Sequence, residues 1–314
     1  MALSSYFVAF ISLIALAASE GATWSYTGDH DTKAPADWPS VAPLCGGNSQ
    51  SPINIIPSEA DYDDDLTAFT FTNYDKENPA TFYASNAHAL KVTFNTSQEM
   101  PSISGGGLVG TYRFMQLHIH HGKSSAKGSE HTINAMHYAA ELHLVHLNNK
   151  YATFEDSLGN SDALAVLGIM IEVGEEDNAN FSSLIAAIPE VTEDGSMAEM
   201  TGKFPLRACL PEDDLDVYYR YPGSLTTPDC NEIVQWTVLK EPIYWSEAQL
   251  QALRTKLLVG GADSDPLLLN FRPVQPLKSR KVKTSMKPVD DGASGVAFSF
   301  ITMATMLLSA LFLM

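Results

Sequence analysis

The feature that most limits how this chain can fold is the period of its apolar residues between 66 and 172. Short runs alternate apolar with polar side chains: "TAFTFTNY", "ALKVTFN", "YRFMQLHIH" and "AAELHLVHL". A longer run, "ALAVLGIMIEV", is almost entirely apolar, and turn residues separate the segments. A period of two sends successive side chains to opposite faces of a strand, whereas a helix needs a period near 3.6. Only 181–188 and 246–258 read as helices. The pattern therefore predicts a predominantly β domain of the α+β kind, with a few short helices at its edge.

Histidines interrupt two of these strands. "MQLHIHHGKS" (115–124) and "AELHLVHLNN" (140–149) place five of the chain's nine histidines on predicted strands. By strand parity Gln116, His118 and His120 share one face, while Leu117, Ile119 and His121 take the other. In the second strand Glu141, His143 and Val145 share a face. If the strands are neighbours, His118, His120 and His143 converge. Three imidazoles without a cysteine or carboxylate suit a catalytic zinc, because a structural zinc closes its shell with a fourth side chain. Gln116 and Glu141 are placed to accept the second ring N–H of a ligand histidine and so fix its tautomer. A lone histidine on a strand is ordinarily a core residue. Three on matched faces, each with a polar neighbour on its own face, favour a metal.

The ends of the chain differ from its middle. Residues 6–18 form one apolar run closing on small residues, the pattern of a secretory signal peptide over 1–18, although no Lys or Arg precedes it. Residues 296–314 are apolar to the last residue and follow "DDGASG" (290–295) without a basic flank. That arrangement predicts a glycolipid-anchor (GPI) signal with its attachment site among Asp290 to Ser294, the alternative being a membrane tail. The segment 19–285 then reads as one domain and 286–295 as a linker. A net charge of −18 excludes nucleic acid as a natural partner, since phosphates would be repelled. The clusters "DYDDD" and "PEDDLD" read as solvated loops. Three cysteines, Cys45, Cys209 and Cys230, allow one disulfide and one leftover thiol, and spacing does not choose the pair. Asn95 and Asn180 head N-glycosylation sequons.

Several ordered blocks carry a resemblance: "SQSPINI" (49–55), "QLHIHHGKSSAKGSEHTINAMHYAAELHLVH" (116–146), "YPGSLTTPDC" (221–230), "QWTVLKEPI" (235–243) and "NFRPVQPL" (270–277). Together they make the chain similar to the α-class carbonic anhydrases from about Trp24 to Ser285. The resemblance implies a central, twisted, mostly antiparallel sheet of about ten strands, with Zn2+ at the foot of a conical cleft. It implies reversible hydration of carbon dioxide to bicarbonate and a proton, by hydroxide on zinc.

The same resemblance assigns roles. His118, His120 and His143 look like the zinc ligands, with Gln116 and Glu141 behind them. Thr226 looks like the residue that accepts from the hydroxide, and Glu130 like the carboxylate that orients Thr226. His88 falls at the proton-shuttle position, with Tyr26 and Asn86 ordering water beside it. Val145, Val166, Leu225, Thr227 and Trp236 correspond to the wall where carbon dioxide rests. Cys45 and Cys230 match the pair bridged in secreted and membrane-anchored members, which leaves Cys209 free. An extracellular, GPI-anchored enzyme with CO2 and bicarbonate as its small-molecule partners is the resulting expectation.

Alone, most of these residues have plainer readings: Glu130 in a buried hydrogen bond, Thr226 in a turn, His88 on the surface. His30, His121, His131, His137 and His146 read as structural or surface residues. His121 and Leu147 stand where tryptophan is frequent in the family, and Lys91 stands where a neutral polar residue is common. A non-catalytic binding or matrix protein on the same fold is the alternative function, and ester hydrolysis a side activity. The presence of all three ligands, Thr226 and Glu130 favours the enzyme.

Overall fold

The computed structural model describes residues 24–287 apart from 30–31, 77–80, 87, 96–99 and 201–203; of 81–86, 95 and 200 the backbone alone is described. The apolar run 6–18, the linker beyond 287 and the tail 296–314 lie outside the described residues, as do His30 and the Thr96-Ser97 half of the first sequon. Among the described residues no helix is long and apolar enough to cross a membrane.

Among the described residues thirteen strands join one sheet. Its continuous path uses β1 (Asp61–Tyr62), β2 (Thr81–Asn86), β3 (Leu90–Asn95), β4 (Tyr112–His121), β5 (Ala140–Asn148), β6 (Leu164–Gly174), β7 (Met197–Met200), β8 (Tyr218–Gly223), β9 (Val234–Leu239) and β10 (Lys283–Thr284). Their spatial order is β7-β2-β3-β4-β5-β6-β9-β8-β10-β1. Pairing along this path is antiparallel except for β6 with β9 and β10 with β1. The expected ten-stranded, mostly antiparallel sheet is therefore the path itself, with three further strands at its margins.

Alternation decides which face does what. Leu117, Ile119, Leu142, Leu144, Ala165, Leu167, Ile169 and Ile171 are fully buried in one core cluster. It also takes in Phe181, Leu184, Trp245, Leu250 and Leu253, so the helices α1 (Ser182–Ala187) and α2 (Glu247–Lys256) close this face. The helix α2 starts on a capping box: the Ser246 hydroxyl accepts from the Gln249 amide while the Gln249 side chain reaches back. Both helices fall inside the segments read from sequence. The opposite face packs Val145, Val166, Val234, Trp236 and Tyr221 in a second cluster. The candidate site lies on this face.

β6 runs antiparallel to β5 on one side and parallel to β9 on the other, so both its edges are used. Its first eight residues, Leu164 to Ile171, are all buried. That explains why "ALAVLGIMIEV" is apolar without alternation: both faces of the strand are covered.

A disulfide joins Cys45 to Cys230, 185 residues apart, and Cys209 is a buried free thiol. The pair implied by the resemblance is the one formed. It ties the N-terminal aromatic group of Trp24, Tyr26 and Trp38 to the loop that follows β8.

Candidate metal centre

The ladder between β4 and β5 pairs His118 with His143 and His120 with Glu141. Residues paired across a ladder point to the same face, so strand register alone assembles the cluster. Ring centroids of His118, His120 and His143 lie 4.6–5.0 Å apart. One nitrogen from each ring lies within 4.8 Å of the other two, as a shared ion requires.

What distinguishes the three rings is how their nitrogens divide. His118 Nδ1 is 2.9 Å from Gln116 Oε1. His120 Nδ1 is 2.6 Å from the carbonyl of Asn270. His143 Nε2 is 2.8 Å from Glu141 Oε1. Each of these partners is an acceptor, so each fixes a tautomer whose unprotonated nitrogen faces inward: Nε2 of His118, Nε2 of His120 and Nδ1 of His143, the first and last 3.2 Å apart with no proton left between them. His120 Nε2 is buried with no hydrogen-bond partner. Burial holds all three imidazoles below the ordinary histidine range, His120 at about 4, so the rings are neutral lone-pair donors at pH 7.

Glu141 serves two rings. Its Oε1 also lies 2.7 Å from His131 Nδ1, and Oε2 accepts from the His131 amide at 2.7 Å. Burial pulls its carboxyl up, but His131 and His143 outweigh that and hold it well below the usual carboxylate range. His131 Nε2 is in turn 2.6 Å from the Tyr221 hydroxyl, which donates to Ser51 Oγ. Gly168 lies opposite His143 on β6. A Cβ there would meet Glu141 Oε1 at 3.0 Å, so the missing side chain leaves the carboxylate its place.

Glu130 is fully buried beside the tripod. Its Oε1 accepts from the Arg272 amide at 2.8 Å, and its Oε2 lies 3.4 Å from His120 Nε2. Burial pushes its carboxyl up to about 7, against the pull of His143, the Arg272 amide and the Thr226 side chain. Thr226 is buried close by, yet Oε2 has no hydrogen bond of ordinary geometry. Trp236 stands edge-on to His143 at 4.7 Å and donates from its indole to the Ser224 carbonyl. Val145 and Val166 are buried next to each other in register, and Leu225 and Thr227 are half-buried.

His88 is exposed, in a left-handed conformation with φ 63°. Its ring packs 4.4 Å from Trp24, and its carbonyl accepts from Asn270 Nδ2. Partial desolvation is the main cause that lowers its pKa, Asp194 works against it and Lys91 with it. Tyr26 is buried, its hydroxyl pushed up by burial and by Glu130. Asn86 ends β2, and its side chain is outside the described residues.

Sequence reasoning missed Asn270. It fixes His120 through its carbonyl, His121 through Oδ1 and the His88 segment through Nδ2. It lies in a stretch without regular structure, so no periodicity marked it; only its place in the block "NFRPVQPL" did. The reach of Glu141 to His131 was also unread.

A mostly β fold with three histidines converging from two neighbouring strands presents a group that could hold a single metal ion. The family model for eukaryotic-type carbonic anhydrase matches residues 33–286. Over 281 residues the chain is 37% identical to carbonic anhydrase 15 of Mus musculus, covering 88% of this chain and 86% of that protein. It is 38% identical to carbonic anhydrase 3 of Equus caballus over 267 residues, 84% and 98% of the two chains. It is 39% identical to carbonic anhydrase 7 of Mus musculus over 266 residues, 84% and 97%. The chain belongs to the eukaryotic-type carbonic anhydrase family, enzymes that hydrate carbon dioxide.

Proposed function

We propose that this chain is a zinc-dependent carbonic anhydrase whose metal is held by His118, His120 and His143. The division of ring nitrogens carries the reading: three inward lone pairs on neutral rings, with each outward N–H engaged by Gln116, Asn270 or Glu141. An all-imidazole set without thiolate or coordinated carboxylate fits a zinc with an open position. The buried, partnerless His120 Nε2 supports the same conclusion. Bound there, zinc supplies Lewis-acid charge that makes water a nucleophile at neutral pH, as in carbonic anhydrases generally.

The protein's own residues do the rest. Glu130, fixed by the Arg272 amide, accepts a hydrogen bond from the Thr226 hydroxyl when that hydroxyl turns to the free Oε2; Thr226 then has only lone pairs to offer the nucleophile, which orients it. Val145, Val166, Leu225, Thr227 and Trp236 form an uncharged wall, suited to a substrate without charge. His88, exposed and with its pKa lowered from the ordinary value chiefly by desolvation, passes the product proton to solvent, with Tyr26 and Asn86 beside the path. The sequence supports a setting at the extracellular face, with 1–18 removed as a signal peptide. In the same reading 19–285 is the enzyme, 286–295 a linker and 296–314 a GPI signal, and Asn180, exposed before α1, carries a glycan as does Asn95.

The test is carbon dioxide hydration by purified protein before and after chelation, with zinc content measured alongside. Loss on chelation and recovery with zinc are expected. A zinc-free protein with undiminished activity, or a zinc-loaded one with none, would contradict the proposal. For the anchor, release from cells by a phosphatidylinositol-specific phospholipase is expected, and retention would favour a spanning tail.

A further inference from the structure

One charged side chain on the cleft face has no counterpart in the mechanism above. Lys91 lies on β3, and the ladder with β4 pairs it directly with His118. Paired residues share a face, with Cβ atoms about 5 Å apart, so the lysine stem starts out beside a candidate ligand. His118 is also the member of the tripod that is only half-buried, the other two being buried. Lys91 is itself half-buried, and among the described residues its ammonium makes no ion pair or hydrogen bond. Its charge is felt at both His118 and His88, so it lies electrostatically between the candidate relay and the tripod.

A half-buried ammonium without a partner is costly, since desolvation is not repaid by a counter-charge. Desolvation indeed lowers its pKa. The surrounding chain carries a net charge of −18, which repels small anions from most of the surface. A cation paired across the ladder with His118 reverses that locally.

We infer that Lys91 is an anion-docking residue of this site, its ammonium holding a monovalent oxyanion or pseudohalide, bicarbonate first among them, on the His118 side of the tripod. The inference rests on the metal reading of that tripod. It makes Lys91 a specificity residue: it strengthens binding of the charged product and of anionic inhibitors, and leaves neutral ligands unaffected.

Cobalt-substituted protein tests this through its visible spectrum, independently of turnover. Thiocyanate and bicarbonate are titrated into wild type, Lys91→Met and Lys91→Arg, with neutral 1,2,4-triazole as a control. At low ionic strength the anion Kd should rise about five- to tenfold in Lys91→Met, the size expected for one charge several ångströms away in a partly solvated cleft. Lys91→Arg should restore it, triazole should bind all three alike, and the difference should shrink in high salt. An anion Kd unchanged within about twofold, or equal weakening of triazole, would overturn the inference while leaving the tripod intact. Failure of wild type to take up cobalt would overturn the tripod reading and this one with it.

Discussion

Two groups of histidines sit close together, on β4, on β5 and in the segment between them, and they are wired in opposite ways. In His118, His120 and His143 one ring nitrogen is held by an acceptor and the other is turned inward towards the other rings, with no acceptor of its own. In His131 and His146 both nitrogens are occupied: His131 by Glu141 and Tyr221, His146 by the Ala165 carbonyl and the Tyr74 hydroxyl. Burial does not separate the groups, because His120, His143, His131 and His146 are all buried. Unspent hydrogen-bonding capacity does. A ligand histidine is one whose environment satisfies half of it. His121 fits neither group; it is buried with both ring nitrogens unpartnered, and nothing in the structure explains it.

The sharpest way to break this comparison is to remove one member from each group. His143→Ala should abolish zinc binding and carbon dioxide hydration together, the largest effect anticipated, read by metal analysis and stopped-flow rates. His146→Phe should retain metal and rate. It should cost about 1–3 kcal/mol in denaturant unfolding, because the Tyr74 hydroxyl is left buried without its partner. If His146→Phe lost zinc, or His143→Ala kept it, the distinction drawn from nitrogen occupancy would be wrong.

An intermediate effect falls on the outward acceptors. Glu141→Gln should weaken zinc affinity about 10- to 100-fold without emptying the site at saturating metal. Gly168→Val should act in the same direction, because a side chain there crowds Glu141 Oε1. Competition with a chromophoric chelator measures both. Unchanged affinity in the two variants would mean that Glu141 merely supports His131.

The smallest effect is a pH dependence. Burial pushes His146 down to about 4 from an ordinary 6.5. The unfolded chain therefore takes up a proton at this residue before the folded one does. The contribution of His146 is fully present above pH 6.5 and is lost as pH falls from 6.5 towards 4, to a total of about 3 kcal/mol. In His146→Phe the acid slope of unfolding free energy between pH 6 and 4.5 should be shallower by up to about one proton. An identical slope would show that His146 does not titrate in that window.

Much of this was legible in the chain. A side-chain period of two fixes the faces of His118, His120 and His143 once their strands are neighbours, and the ladder makes them neighbours. The solidly apolar run 163–173 read as one more strand of the sheet, and the two helices stood where the period changed. The rest depends on long-range placement. The Asn270 carbonyl reaches His120 from 150 residues away. The Arg272 amide meets Glu130 from 142. Backbone groups in irregular segments leave no periodic signature, so only the folded chain reveals such partners. The choice of Cys45 with Cys230 was open by spacing, implied by the family resemblance and is the pair the fold closes.

The central claim is that three inward imidazole nitrogens hold zinc with one position open. X-ray absorption at the zinc K-edge on the purified protein tests it most directly. The expected result is one zinc per chain with three histidine nitrogens and one further light atom at about 2.0–2.1 Å. A sulfur scatterer, a fourth histidine, or no bound zinc would contradict it.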